Sequence, residues 1–289
     1  MPALKSLTEE TYFRLNPRIR CDHTRDQYRF ALKDFTDSLG HDPTEEDLID
    51  DNVAAMMVYL QKKGLAPKTI NERRGRINAL WSWLAKRGIV KTWPTTPRIP
   101  EPERIPRGWS RSQLKTLFST AFDKERVLIG GVPAPQWWKS LHYVEWDTGE
   151  RVSALLGCEW SHLDGKWLLV PAEIRKGKQK DMAYELHDET LAALEEMRHP
   201  KRDKMWPWPY CRSYLWIRYK IIRERAGLPT DRRSAFHRMR KSVASYYEAA
   251  GGNATTLFGH SSRKVTLAYI DPQICPPKQA IDLLFRPAS

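Results

Sequence analysis

Only four cysteines occur in the 289 residues, Cys21, Cys158, Cys211 and Cys275, and no two of them form a C-x-x-C pair. Neither a zinc ligand set nor a disulfide frame is indicated, so reduced, partly buried thiols are expected. Long apolar runs are also missing. The longest, Val53–Leu60, is far too short to cross a bilayer. The first residues, MPALKSLTEETYFRLNP, lack the charged-then-apolar pattern of a secretory signal, so a cytosolic protein with no membrane partner is expected. Acid is scarce relative to base: 35 Asp and Glu face 48 Lys and Arg, a net charge of +13. Such an imbalance favours a polyanionic partner, nucleic acid before membrane. There is no internal repeat, and no biased segment beyond one proline-rich stretch.

What is present is helical periodicity. Residues 1–23 show no clear period and read as an N-terminal extension. From Thr24 the run Thr24-Arg25-Asp26-Gln27 has the form of a capping box, and Tyr28, Ala31, Leu32, Phe35 and Leu39 follow at helical spacing before Gly40. A second helix over 52–63 aligns Val53, Met56, Met57 and Leu60. A third, over 67–87, starts at Pro67 and aligns Ile70, Ile77, Leu80, Trp81 and Leu84. Its polar face carries Lys68, Thr69, Arg73, Arg74 and Arg76 with only Glu72 as a local acidic partner, so these residues are candidates for DNA phosphate contacts. The result is a small helical domain, 24–92.

Residues 93–107, WPTTPRIPEPERIPR, hold five prolines and read as a semi-rigid connector. Beyond it, 108–289 forms a mixed domain. Ser110-Arg111-Ser112-Gln113 caps a helix with Leu114, Leu117 and Phe118. Helices are expected over 139–148, Val152–Leu156, 188–198 and 210–226, the last carrying Trp216, Ile217, Ile221 and Ile222. Trp167–Val170 and Met182–Leu186 read as strands joined by the basic tip Arg175–Lys180, which includes Lys176 and Lys178. The tail 270–289 contains the short amphipathic piece Lys278–Phe285. The fold class is mostly α with a small antiparallel β-sheet.

The densest chemistry lies between His237 and Tyr269: HRMRKSVASYYEAAGGNATTLFGHSSRKVTLAY. His237 and Arg240, three apart, share a helical face and could reach one small anion. Val243, Tyr246, Tyr247 and Ala250 give that helix an apolar face, and Gly251-Gly252 ends it. H-x-x-R alone says little, because composition alone gives about one by chance. The spacing occurs twice more, at His199/Arg202, where Pro200 argues against a helix, and at His260/Arg263. Together with His260 and Tyr269, however, the group suggests a site for a phosphodiester.

Five segments in order make the group specific: TGERVSALL at 148–156, EIRKGKQKD at 173–181, HRMR at 237–240, LFGH at 257–260, and a tyrosine nine residues after His260. Across nearly its whole length the chain resembles the tyrosine recombinase (phage integrase) family. The resemblance implies Arg151, Lys176, His237, Arg240, His260 and Tyr269 as the catalytic set. It also implies a helical core-binding domain and an α+β catalytic domain that clamp duplex DNA. The acidic residue usual three positions after the first arginine is Ala154 here. Met239 replaces a usual leucine, and Lys241 a frequent histidine.

The implied reaction is attack of Tyr269 on a DNA phosphate, giving a 3′-phosphotyrosine and a free 5′-hydroxyl. Arg151 and Arg240 would hold the nonbridging oxygens. Lys176 would protonate the leaving oxygen, His237 would accept the phenol proton, and His260 would donate a hydrogen bond to the phosphate. The sequence calls for no metal, ATP or other cofactor. The expected partners are double-stranded DNA with paired recombination sites and three further copies of the chain, a homotetramer on synapsed DNA that passes through a Holliday junction and is monomeric when free. The tail would fold back or dock on a neighbouring subunit. A short N-terminus tilts the reading towards a Xer-like two-domain enzyme for integration, excision or resolution. A type IB topoisomerase and a non-catalytic helix-turn-helix regulator are the alternatives, and the target sequence cannot be read from the chain.

Overall fold

The computed structural model describes residues 3–119, 121–123, 125–177, 179–231 and 235–277. The chain separates into two compact units, Met1–Glu103 and Arg104–Ser289, each taken in turn below.

In the first unit the apolar stripes of three helices meet: α3 (Asp22–Leu39), α4 (Asp50–Lys62) and α5 (Pro67–Ala85), preceded by the short α1 (Leu4–Leu7) and α2 (Phe13–Leu15). Phe35, Met56, Leu60, Ile77 and Trp81 are fully buried between them. Pro67 opens α5 without losing a needed amide, and Gly40 ends α3 with φ 80°. Two expectations need correction. Helix α3 begins at Asp22, so Thr24 lies inside its first turn and caps nothing. Cys21 is the extended residue before it, with its thiol 3.2 Å from the Thr24 hydroxyl. The expected N-terminal extension is no appendage over its described residues, 3–23, because Leu4, Tyr12, Phe13 and Ile19 belong to the core. A π-helical turn, Thr8–Tyr12, separates α1 from α2. It widens the repeat and hides the period that a 3.6-residue template would detect.

The proline-rich stretch is stitched to this unit along its first half. Asp50 accepts hydrogen bonds from the amides of Thr95 (2.9 Å) and Thr96 (2.7 Å). Asn71 bonds both the amide and the carbonyl of Ile99, and Trp81 Nε1 donates to the Thr92 carbonyl at 2.8 Å. The prolines remove donors, but the few amides between them are all that these anchors require.

The second unit opens with α6 (Arg111–Ser119), where Ser110 and Gln113 form the expected reciprocal cap at 3.2 and 3.0 Å. A hairpin of β1 (Leu128–Ile129) and β2 (Val132–Pro133) leads into α7 (Ala134–Thr148), which starts five residues before the expected 139 because Pro135 suits a first turn. After α8 (Val152–Leu155) comes an antiparallel sheet, β3 (Leu163–Asp164), β4 (Trp167–Val170) and β5 (Met182–Glu185), in that order, with Leu168 opposite Tyr184. Helices α9 (Asp188–Glu195), α10 (Arg212–Arg225), α11 (Phe236–Ala249), α12 (Ala254–Leu257) and α13 (Arg263–Leu267) complete it. No described helix is long and apolar enough to cross a membrane. The core gathers Trp137, Trp138 and Leu141 of α7, Leu215, Tyr219 and Ile222 of α10, and Phe236 and Met239 of α11. On α10 and α11 the buried face is rotated from the expected one, leaving Ile217 and Tyr247 exposed. Lys278–Phe285 lies outside the described residues.

His142 sits in the middle of that core, fully buried, with Nδ1–H donating to the Trp138 carbonyl at 2.8 Å and Nε2 without a partner. Burial, helped by Arg223, pushes its pKa down to about 4 against the opposing hydrogen bond to Trp138. A depressed histidine stabilises the fold above its unfolded pKa of ~6.5, and that contribution is lost as the pH falls towards 4. Glu145, 3.9 Å away, is pushed up by burial and has the opposite sign. A His142→Phe variant isolates the histidine contribution. Its stability relative to wild type should improve by about 3 kcal/mol between pH 7 and pH 4, read from urea unfolding at each pH. A pH-independent difference would mean that His142 titrates normally.

Candidate active site

Six side chains were expected to converge, and α11 supplies the pivot. Arg240 points inward from its first turns and is almost wholly inaccessible, with 1% of its surface exposed. One terminal nitrogen donates to the Gly149 carbonyl, and the other lies 3.2 Å from His260 Nε2. Its guanidinium carbon stands 3.8 Å from the Phe258 ring centroid and 5.4 Å from that of Tyr269. Nε is buried without a hydrogen-bond partner, and among the described residues no carboxylate pairs with the group. Burial first, and then the like charge of Arg151, pull its pKa down to about 10, still cationic at neutral pH. A buried guanidinium held by one carbonyl and two rings is a strong attractor for an anion.

His260 is neutral in this arrangement. Its Nε2 faces an arginine, which can only donate, so the lone pair sits there and the proton is on Nδ1. Nδ1–H then donates to the Thr266 hydroxyl at 3.0 Å, which meets Thr255 at 2.9 Å. Burial, followed by the charges of Arg240, Arg151 and Arg175, lowers its pKa to about 4. In this geometry His260 accepts from Arg240 and so fixes the guanidinium's direction.

His237 stands at the mouth of the site with its imidazole exposed. Desolvation first, then Arg240, Arg151, Lys241 and Lys176, hold its pKa below the ordinary range. A neutral ring with a free lone pair is the form a proton acceptor needs. Tyr269 lies half-buried against both histidines, its ring centroid 5.4 Å from that of His260 and 6.5 Å from that of His237. Its segment is clamped to α11 of the same chain. Ser245 Oγ bonds the Tyr269 carbonyl at 3.3 Å and accepts from the Asp271 amide at 2.8 Å.

Arg151 is the residue just before α8, partly exposed, and its charge is felt by Arg240, His237 and His260. Lys176 occupies the exposed turn between Ile174 and β5, close enough for its charge to act on His237. Lys241 follows Arg240 on α11 and acts on His237 likewise. The basic residues on α5 fare differently. Arg73 is paired with Asp34 of α3 at 2.8 Å, Arg74 donates to the Thr96 carbonyl, and Arg76 stacks 5.1 Å from the Tyr28 ring centroid. The partners come from other segments, which is why a search for acids one turn away on α5 missed them. Reversing these charges would disturb the fold before it reported on DNA. Lys68 is exposed and Thr69 half-buried, and Lys178 lies outside the described residues.

Three residues at the site escaped notice in the sequence. Glu150 and Arg175 form a buried pair at 2.6 Å beside this cluster, and Phe258 is the platform under Arg240. Each sits within a motif already singled out. Gly149 is fixed twice over: its φ is 60°, and an added Cβ would collide with Phe258. Gly149→Ala should therefore cost about 2 kcal/mol or more in urea unfolding, from backbone strain plus overpacking. It should also weaken catalysis by tilting the ring that carries Arg240; an unchanged midpoint would contradict both causes.

No model of a known protein family matches the chain. Among curated proteins it is similar to the tyrosine recombinase XerC of Neisseria gonorrhoeae, 26% identical over 170 residues, 55% of this chain and 54% of that protein. The match thus spans about half the length of that relative. It is also similar to XerC of Xanthomonas axonopodis pv. citri, 24% identical over 284 residues, 90% of this chain and 89% of the relative. Among solved structures, a lambda integrase dimer bound to a COC′ core site superposes with a TM-score of 0.70 at 19% identity, covering 94% of this chain and 78% of that one. The Tn1549 transposon integrase in complex with circular intermediate DNA gives 0.70 at 15%, covering 93% and 95%. The fold is an integrase fold, mostly helical with small antiparallel sheets. In sequence the chain is similar to tyrosine recombinases, and in fold to integrases.

Proposed function

We propose that the protein is a site-specific DNA recombinase that cuts and rejoins DNA through a 3′-phosphotyrosine. The observation that carries this reading is Arg240: a buried cation with no carboxylate partner among the described residues, in contact with the ring of Tyr269 and bonded to His260. A phosphate entering there would meet Arg240 and Arg151, whose charge it would neutralise as negative charge builds in the transition state. Tyr269 attacks the phosphorus and His237 takes the phenol proton. Lys176 protonates the departing 5′-oxygen, and reversal of the steps by a second 5′-hydroxyl rejoins the strand. No ATP is consumed, because the phosphotyrosine conserves the energy of the bond.

The first unit, which takes in the N-terminal residues and the first half of the proline-rich stretch, acts as the core-binding domain, and the second, from Arg104, as the catalytic domain. The partners are duplex DNA with paired sites and three further copies of the chain. A lambda integrase tetramer bound to a Holliday junction, at TM-score 0.69, supports that assembly. The free protein is monomeric and works in the cytoplasm, at the nucleoid. Lys68, Thr69 and Lys241 contact phosphates. The test is to select bound sequences from a randomised duplex pool, place a nick beside the cleavage position and look for a covalent protein–DNA band on a denaturing gel. Binding without a covalent band would replace this reading with that of a DNA-binding regulator. Relaxation of any supercoiled plasmid without exchange between sites would replace it with a topoisomerase.

A further inference from the structure

Position 154, where the family pattern places an acidic residue three after the first arginine, is a buried alanine. A carboxylate nevertheless stands at the same loop, from another position. Glu150 is 1% exposed, and its Oε2 accepts the Arg151 amide at 3.1 Å. Its Oε1 accepts from Arg175 Nε at 2.6 Å and from the Tyr184 hydroxyl at 2.8 Å. Arg175 immediately precedes Lys176. Its remaining nitrogens donate to the Lys180 carbonyl at 2.8 Å, across the turn, and to the Phe258 carbonyl at 3.2 Å, two residues before His260.

We propose that Glu150 and Arg175 are positioning residues: a buried ion pair that pins the turn carrying Lys176 to the loop carrying Arg151 and to the segment leading into His260. The inference rests on the recombinase reading above and adds to it the device that fixes the proton donor. The physical case is directional. Lys176 is exposed and makes no ion pair among the described residues, so nothing on its own side chain sets its place. The backbone of its turn is set by Arg175, whose three nitrogens reach a carboxylate and two carbonyls on three separate segments. A guanidinium can span such a fork and an ammonium cannot. Burial raises the cost of losing either partner, since a lone charge would remain.

The test uses the nicked duplex selected above, made in two forms. One has the ordinary 5′-oxygen at the scissile phosphate; in the other, sulfur replaces it and leaves as a thiolate without needing a proton. Glu150→Gln and Arg175→Lys should each slow cleavage of the ordinary duplex by about tenfold, part of what a general acid contributes. On the sulfur duplex they should run close to wild type, and in a Lys176→Ala background they should cost nothing further. An equal loss on both duplexes would overturn the proposal, because a defect routed through Arg151 or through the fold strikes both. No loss on either would overturn it as well. Where thermal melting shows a variant unfolded, Tyr184→Phe decides, since it removes one hydroxyl from the same cluster and should give the same pattern at smaller size. Absence of a covalent band from wild type would instead defeat the recombinase reading, a separate result.

Discussion

Tyr269→Phe should abolish the covalent protein–DNA band while leaving stability and DNA affinity nearly unchanged. The phenol ring is held by Phe258, His260 and the Arg240 guanidinium, and none of these contacts needs the hydroxyl. Among the described residues the hydrogen bonds at position 269 are all made by its backbone, to Thr266 and from Ser245. Removing one oxygen therefore deletes a nucleophile and almost nothing else, so the change in unfolding free energy should stay within about 0.5 kcal/mol. The loss of adduct should be complete rather than graded, because no neighbouring group can take over a covalent role. A variant that still forms the band would place the nucleophile elsewhere and remove the basis for the proposed chemistry. Since Ser245 and Asp271 clamp the tyrosine segment to its own α11, the deficient protomer should be the one that fails to cut its own strand. Mixed complexes with marked DNA half-sites can read this directly.

Arg240→Lys should reduce the cleavage rate by about a hundred- to a thousandfold, the range seen when one preorganised donor to a developing oxyanion is removed. Two features of the structure argue for so large an effect from a substitution that keeps the charge. Arg240 divides its donors between the Gly149 carbonyl and His260 while its guanidinium carbon stays 5.4 Å from the Tyr269 ring centroid. Lysine offers one nitrogen and cannot make both bonds and still face a phosphate. The second feature is desolvation. It already depresses the arginine pKa, and an ammonium starts lower and loses its proton more readily when buried. The lysine variant should thus recover part of its activity at lower pH, and the pH–rate profile of single-turnover cleavage would show it. Equal rates for wild type and variant at neutral pH would mean that Arg240 is a structural cation.

The motifs were legible because the chemistry dictates residue types at short range. His237 and Arg240 share a helical face by spacing, whereas Arg151 and Lys176 entered only through the resemblance to the tyrosine recombinases. Where the sequence misled, the partner lay far along the chain. The α5 arginines looked free for DNA because Asp34, Thr96 and Tyr28 are on other segments. Nothing in the sequence marked out Glu150; β5 and the Lys176 turn bring Tyr184 and Arg175 against it.

By itself the amino-acid order determined the helices, the hairpin, the basic character and the types of side chain available for phosphoryl transfer, all of which depend on interactions within a few residues. Tertiary structure alone decided which cations are paired among the described residues, which nitrogen of His260 carries the proton, and that Glu150 lies buried against Arg175 and Tyr184. Those properties depend on burial and on neighbours tens of residues away, and a one-dimensional pattern carries neither.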